Sequence, residues 1–159
     1  MRSMGLLVGT TMFGLVLGLL PLFSALAEDS RANNEAKKVV ELYFKALNEG
    51  DIETILRLYH RDSVFLPKNA PAVRGIDDIA KAYRALFAAA TLNTTHVYHH
   101  VSVHGDVAIV ESQANGTLTI LDTKTAVPAN DKELFVLRKI KNQWKIDRYM
   151  FNDSEHHGG

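Results

Sequence analysis

Apolar residues recur at helical spacing from position 36 to position 90 and at every second position from 94 to 151, and this change of period divides the chain into two halves. In the first half, Ala36, Val39, Val40, Tyr43, Phe44 and Leu47 predict an amphipathic helix, which Asn48-Glu49-Gly50 ends. Asp51 can cap a second, shorter helix that buries Ile52, Ile55, Leu56 and Tyr59, since its carboxylate accepts from the free N–H groups of a first turn. Residues 63–66 read as a short strand, 67–71 as a loop between two prolines, and 72–74 as an extended return to Gly75. A third helix follows, ending near Ala90. Ile76, Ile79, Tyr83, Leu86, Phe87 and Ala90 form its apolar face, and Asp77 and Asp78 suit the positive end of its dipole.

Four long segments rich in β-branched and aromatic residues make up the second half: 94–104, 107–120, 133–141 and 143–151. Gly105-Asp106 and Lys141-Asn142 are tight-turn signals between neighbours, whereas 121–131 reads as a longer polar loop containing Pro128. Helices first and hairpin-connected strands afterwards is an α+β order. It predicts three N-terminal helices packed on one face of a curved antiparallel sheet.

The N-terminus adds an address. Arg2 is the only charged residue before Glu28, residues 4–23 are almost wholly apolar, and Ala25-Leu26-Ala27 is a small-x-small cleavage signature after Pro21. This predicts a signal peptide over residues 1–27, export to the periplasm or the medium, and no membrane attachment after cleavage; an uncleaved anchor is the rival reading. A domain over 28–153 remains, with a flexible tail over 154–159. The chain has no Cys, so neither a disulfide framework nor a thiol nucleophile enters the account. Its 18 basic and 18 acidic residues are interspersed, and removal of Arg2 leaves 17 against 18. Nucleic acid is excluded as the main partner, because phosphate binding needs clustered Lys and Arg.

The run Val40-Glu41-Leu42-Tyr43-Phe44, then Gly50-Asp51-Ile52-Glu53, Leu58-Tyr59, Asp62-Ser63-Val64 and Arg74-Gly75 opening a helix, resembles the nuclear transport factor 2-like superfamily, in its SnoaL-like and ketosteroid-isomerase-like branch. Phe135-Val136-Leu137-Arg138, a short turn and Trp144-Lys145-Ile146 resemble the superfamily's last hairpin. The resemblance spans about residues 34 to 152. It implies a cone-shaped half-barrel closed by three helices around a pocket. It does not imply one activity, because the fold hosts isomerases, dehydratases, cyclases and non-catalytic binding modules. Tyr43 stands where the isomerases place the hydroxyl that stabilises a dienolate. Their catalytic base, an Asp in the strand after Asp62, is replaced by Phe65-Leu66-Pro67. Their second donor, a protonated Asp, would fall near Lys132-Glu133, where the match is poor. The departures argue against steroid isomerisation by that mechanism.

The remaining candidates come from the strands. His96, His100 and His104 share a strand face about 13 Å apart at roughly 3.3 Å per residue, too far to hold one ion, so no metal site is expected and no cofactor is called for. His99 alternates with Val97, Val101 and Val103, a row expected to face the helices, where a His can serve as a core residue or as a general acid or base. Arg148 alternates with Trp144, Ile146 and Met150 and needs a partner, for which Glu111 on another strand is the candidate. No nucleophile elbow or phosphate loop is present. The pocket candidates are thus Tyr43, Tyr83, His99, Glu111 and Arg148, with His99 and Tyr43 the catalytic ones. The leading expectation is an exported protein binding a small, largely apolar molecule in the cone. A cofactor-independent isomerase, dehydratase or cyclase using a pocket His, and a non-catalytic assembly module, are the alternatives. A homodimer through the open sheet face is expected, because Tyr149 and Phe151 count onto the face opposite Trp144 and would need cover.

Overall fold

The computed structural model describes the backbone of residues 20–154 and the side chains from residue 28 onward, Asp29 excepted. Residues 1–19 of the expected signal segment and residues 155–159 of the expected tail lie outside the described residues. Among the described residues no helix is long and apolar enough to cross a membrane.

Helix α1 (Leu20–Glu49) buries Ala36, Val39, Val40, Tyr43, Phe44, Ala46 and Leu47, the stripe its periodicity marks. It stops at Gly50, whose φ of 68° lies in the left-handed region that glycine adopts without a Cβ clash. Asp51 caps α2 (Ile52–Leu58), its Oδ1 accepting from the Thr54 N–H at 2.9 Å. Strand β1 (Tyr59–Leu66) follows directly, β2 (Val73–Arg74) folds back antiparallel onto it, and α3 (Ile76–Ala89) opens from Gly75. The second half supplies β3 (Ala90–His104), β4 (Val107–Ile120), β5 (Ala126–Pro128), β6 (Asp131–Ile140) and β7 (Gln143–Asp153).

These strands form one sheet in the order β2-β1-β7-β6-β4-β3, with β5 paired to β4. The three helices pack on a curved, unclosed sheet, as the order of elements predicts, but the sheet is mixed. β1 runs parallel to β7, with Phe65 opposite Tyr149. No hairpin joins these two strands, so nothing in their connection imposes the antiparallel sense. Strand β5 arises inside the segment read as a loop, and Pro128 is accommodated because that strand is short and at an edge.

Two β-bulges decide which side chains reach the interior. In β3, Tyr98 pairs with Ser112 and His100 with Glu111, leaving His99 as the extra residue. In β7, Arg148 pairs with Val136 and Ile146 with Leu137, leaving Asp147 as the extra one. An inserted residue exchanges the faces of everything after it. Thr94, His96 and Tyr98 therefore point toward α1, followed by Val101 and Val103. His96 stacks on Phe44 with ring centroids 4.2 Å apart, and the Tyr98 hydroxyl donates to the Lys37 carbonyl at 3.1 Å. In β7, Trp144 and Ile146 are followed inward by Tyr149 and Phe151. The expectation that Tyr149 and Phe151 oppose Trp144 is corrected by the second bulge.

Asn48 fastens the helical layer to the sheet. Its Nδ2 donates to the Thr94 carbonyl at 2.7 Å, and its Oδ1 accepts from the Thr94 N–H at 2.9 Å and hydroxyl at 3.1 Å. The core between the layers is aromatic. Phe135 is fully buried, stacks on Tyr149 at 4.3 Å and meets Tyr43 edge-on at 5.3 Å, while Phe65 lies between Tyr83 and Tyr149 at 5.6 and 5.4 Å.

Candidate functional site

Inside the cone lies a cavity of about 80 Å³. Apolar side chains form most of its wall: Phe44 and Leu47 from α1, Leu86 from α3, Leu92 from β3, Phe65 from β1 and Phe151 from β7. Six residues add polarity: Tyr43, Tyr83, Tyr149, Thr94, the carboxyl of Glu133 and, at the rim where Lys68 pairs with it, Asp131.

Glu133 comes from β6, where it shares a face with Phe135 and Leu137. It is only 6% exposed. Tyr149 donates to its Oε1 at 2.7 Å and Ser112 to its Oε2 at 3.0 Å. Burial pushes this carboxyl up to about 7; the two hydrogen bonds oppose the rise without cancelling it, and Asp131 adds to it. A carboxyl poised there holds a proton in much of the physiological range and can either donate it or take one up.

Beside it, Tyr83 bridges two other tyrosines, with its hydroxyl 2.8 Å from that of Tyr43 and 3.0 Å from that of Tyr59. The Tyr43 and Tyr149 rings touch at 5.1 Å, joining this triad to the glutamate's partners. Burial holds all four phenols well above their ordinary range. They act as neutral hydroxyls, able to donate and accept hydrogen bonds, and not as phenolates.

Of the five residues the sequence singles out, the structure brings Tyr43 and Tyr83 together at the cavity wall. His99 does not reach it. As the bulged residue of β3 it is exposed, and the row it was expected to share with Val101 and Val103 ends at the bulge. Glu111 is exposed on the outer face of β4 and lies in line with Leu134 and Met150, not with Arg148. Arg148 keeps its side chain half in solvent and pairs with its neighbour Asp147 at 3.2 Å; Arg138 reaches the same carboxylate at 3.3 Å. The supposed Arg148–Glu111 pair is thus replaced by a cluster around the bulged aspartate. Of Phe65-Leu66-Pro67, the stretch where the resemblance puts a catalytic base, Phe65 lines the cavity. Among the described residues no group of three or more His, Asp or Glu is placed to hold a metal ion.

Glu133 and Tyr149 are the groups that strand counting missed. For Tyr149 the bulge at Asp147 hides the face. Glu133 carried a readable signal, since a carboxylate alternating with Phe135 and Leu137 stands in an apolar row and calls for an explanation.

Comparison with known proteins agrees with this architecture. No curated protein matches the chain. Among solved structures, a ketosteroid isomerase-like protein from Erwinia carotovora atroseptica superposes with a TM-score of 0.74 at 28% identity, over 77% of this chain and 96% of that one. A nuclear transport factor 2-like superfamily protein from Salmonella enterica serovar Typhimurium superposes at 0.72 with 18% identity, over 81% of this chain and 95% of that one. The sequence profile of the SnoaL-like domain matches residues 40–148, from the C-terminal part of α1 through α2 and α3 to Arg148 in β7. With the profile spanning most of its length, the chain belongs to the SnoaL-like domain family, and it shares the cone fold of nuclear transport factor 2-like proteins.

Proposed function

We propose that this protein is an exported small-molecule-binding protein whose cone holds an uncharged, largely apolar ligand and meets its one polar group with Glu133 and Tyr149. The observation that carries this reading is a buried carboxyl facing a mostly apolar cavity and met, among the described residues, by two hydroxyls and not by a cation. A group of that kind is unfavourable for stability, so a site for hydrogen bonding a ligand is the natural reason for its presence. Below about pH 7 the carboxyl carries a proton and can donate to a ligand carbonyl. A carboxylate ligand would place two acids together and is disfavoured.

Native mass spectrometry of protein purified from its own host is expected to reveal a retained molecule of this class. A chain of bare mass that also ignores neutral ketones in solution would overturn the reading. His99→Ala is expected to leave ketone binding unchanged, since His99 lies away from the cavity, whereas Glu133→Leu should weaken it at least tenfold, the worth of one hydrogen bond to a buried group.

Catalysis is the second reading, and Glu133 favours it. A carboxyl with its proton affinity near neutrality can shuttle a proton between two positions of a bound carbonyl compound, as an isomerase or dehydratase requires. In that reading the acid–base group is Glu133, and the expected pocket His has no part.

Export and dimerisation complete the proposal. Ala25-Leu26-Ala27 supports cleavage before Glu28, and N-terminal sequencing of the exported fraction should begin there; an intact Met1 in the membrane fraction would support an anchor. The outer sheet face exposes Val97 (56%) and Met150 (45%), with Leu134 beside Met150, so a two-fold pairing of this face would give both copies cover. Sedimentation showing only monomer at micromolar concentration would remove the dimer from the account.

A further inference from the structure

The cavity around Glu133 is too small to be a complete ligand site. At about 80 Å³ it offers the liquid volume of roughly three water molecules, whereas pockets for whole organic ligands run to about 300–1,000 Å³. That is room for a carbonyl and its flanking carbons. Immediately beyond its wall lies an open groove of about 730 Å³ between α3 and the segment from Pro67 to Arg74. The two spaces share four side chains: Phe65, Tyr83, Leu86 and Phe151. Tyr83 and Phe65 are fixed in the aromatic core, Tyr83 by two hydrogen bonds and Phe65 by stacking. Leu86 and Phe151 are only partly buried, so they are the less constrained members of this shared wall.

The groove is mostly apolar. Pro67, Ala70, Pro71, Ala72 and Val73 line one side and Ala82 the other, with Arg74 and Asp78 the charged residues among its lining. Its outer wall is tied down as well. Lys68 donates to Asp131 at 2.9 Å and to Asp153, and its ammonium lies 5.9 Å from the centre of the Phe151 ring. The loop that carries the groove is therefore anchored to the same strand ends that carry the partition.

We infer that the ligand is elongated, with an uncharged carbonyl or hydroxyl head at Glu133 and a linear apolar tail that passes between Leu86 and Phe151 to lie in the groove beside α3. This rests on the reading of Glu133 as the head site and adds the class of molecule: a lipid-like ketone, aldehyde or alcohol, not a compact ring that the inner cavity would have to hold alone. Leu86 and Phe151 move aside when the tail enters. Both are partly exposed side chains at the end of their elements, so a change of rotamer suffices.

A series of straight-chain methyl ketones from 2-butanone to 2-nonanone, titrated into the purified protein and followed by amide chemical shifts, tests this. Affinity should rise about fourfold with each added methylene through the whole series, the increment for burying one CH₂. Shifts of Ser112 and Tyr149 should occur with every member, and shifts of Ala70, Ala72 and Val73 only with the longer ones. Ala82→Trp, a substitution at a half-buried helix position that fills the groove, should abolish the dependence on length beyond 2-pentanone while leaving the short ketones bound. An affinity that stops rising at 2-pentanone in the parent protein, with Ser112 and Tyr149 still responding, would overturn the elongated ligand and leave the head site standing. Long ketones that move the groove amides without moving Ser112 and Tyr149, or no response to any ketone, would overturn both.

Discussion

Replacing Glu133 by Gln should make the protein more stable at pH 8, by on the order of 3 kcal/mol, and should change its stability little at pH 5. The folded carboxyl holds its proton to about pH 7, against an ordinary value of 4.5. Between these values the folded state binds more protons than the unfolded one, so the parent loses stability as the pH rises from 4.5 through 7, and the full penalty is present above 7. Gln is neutral at every pH and escapes it. Its amide oxygen can still accept from Tyr149 or Ser112, and either hydroxyl can rotate to accept from the new NH₂. Urea midpoints of both proteins at pH 5 and pH 8 measure the difference. Equal stability of the two at pH 8 would show that Glu133 is not held against its solvation, and would remove the reason to treat it as functional.

Phe135→Ala is expected to act in the opposite direction and with equal force. The ring is fully buried, stacked on Tyr149, edge-on to Tyr43 and in contact with Phe44 at 6.3 Å. Truncation removes its burial and leaves a void that three other rings cannot close, a loss of about 3–5 kcal/mol. Because domains of this size hold about 5–15 kcal/mol in total, the variant should be marginal at 37 °C. The urea midpoint should fall with little change in slope. Met150→Ala, on the outer face, should stay within about 0.5 kcal/mol of the parent unless a second copy covers that face. A Phe135→Ala protein as stable as the Met150→Ala one would contradict the description of the core.

The helices were legible because their stripes are long and their punctuation is chemical. Asp51 caps where a carboxylate is needed, and Gly50 turns where a positive φ is needed. The long strands were legible for the same reason, down to the turn at Gly105, with a φ of 60°, whereas β5 and the start of β1 at Tyr59 were not. The faces of β3 and β7 were legible only as far as each bulge. A count by twos carries no information about an inserted residue, so His99 and Arg148 were assigned inward although Val101 and Ile146 on the far sides of their bulges were assigned correctly. Neither bulge residue announces itself: His99 stands in a run of three polar and aromatic side chains, Tyr98 to His100, and Asp147 continues the row of Gln143 and Lys145 that alternates with Trp144 and Ile146. The parallel pairing of β1 with β7 was hidden too, since it depends on closure of the whole sheet and not on any local turn. In β4 the alternation is unbroken but Glu111 was placed in the pocket, whereas Val110, Ser112 and Ala114 are the buried row; in β6 the inward row carries Glu133, the residue on which the site turns.

A pH titration of the side-chain ¹³Cδ resonance of Glu133, alone and with a saturating methyl ketone, tests the central claim most directly. The account predicts a midpoint near 7 in the free protein. It predicts a higher midpoint with ketone bound, because a carbonyl accepts from the protonated carboxyl and so favours that form. A midpoint near 4.5, or one that the ketone leaves where it was, would contradict the claim that Glu133 is the ligand's polar anchor.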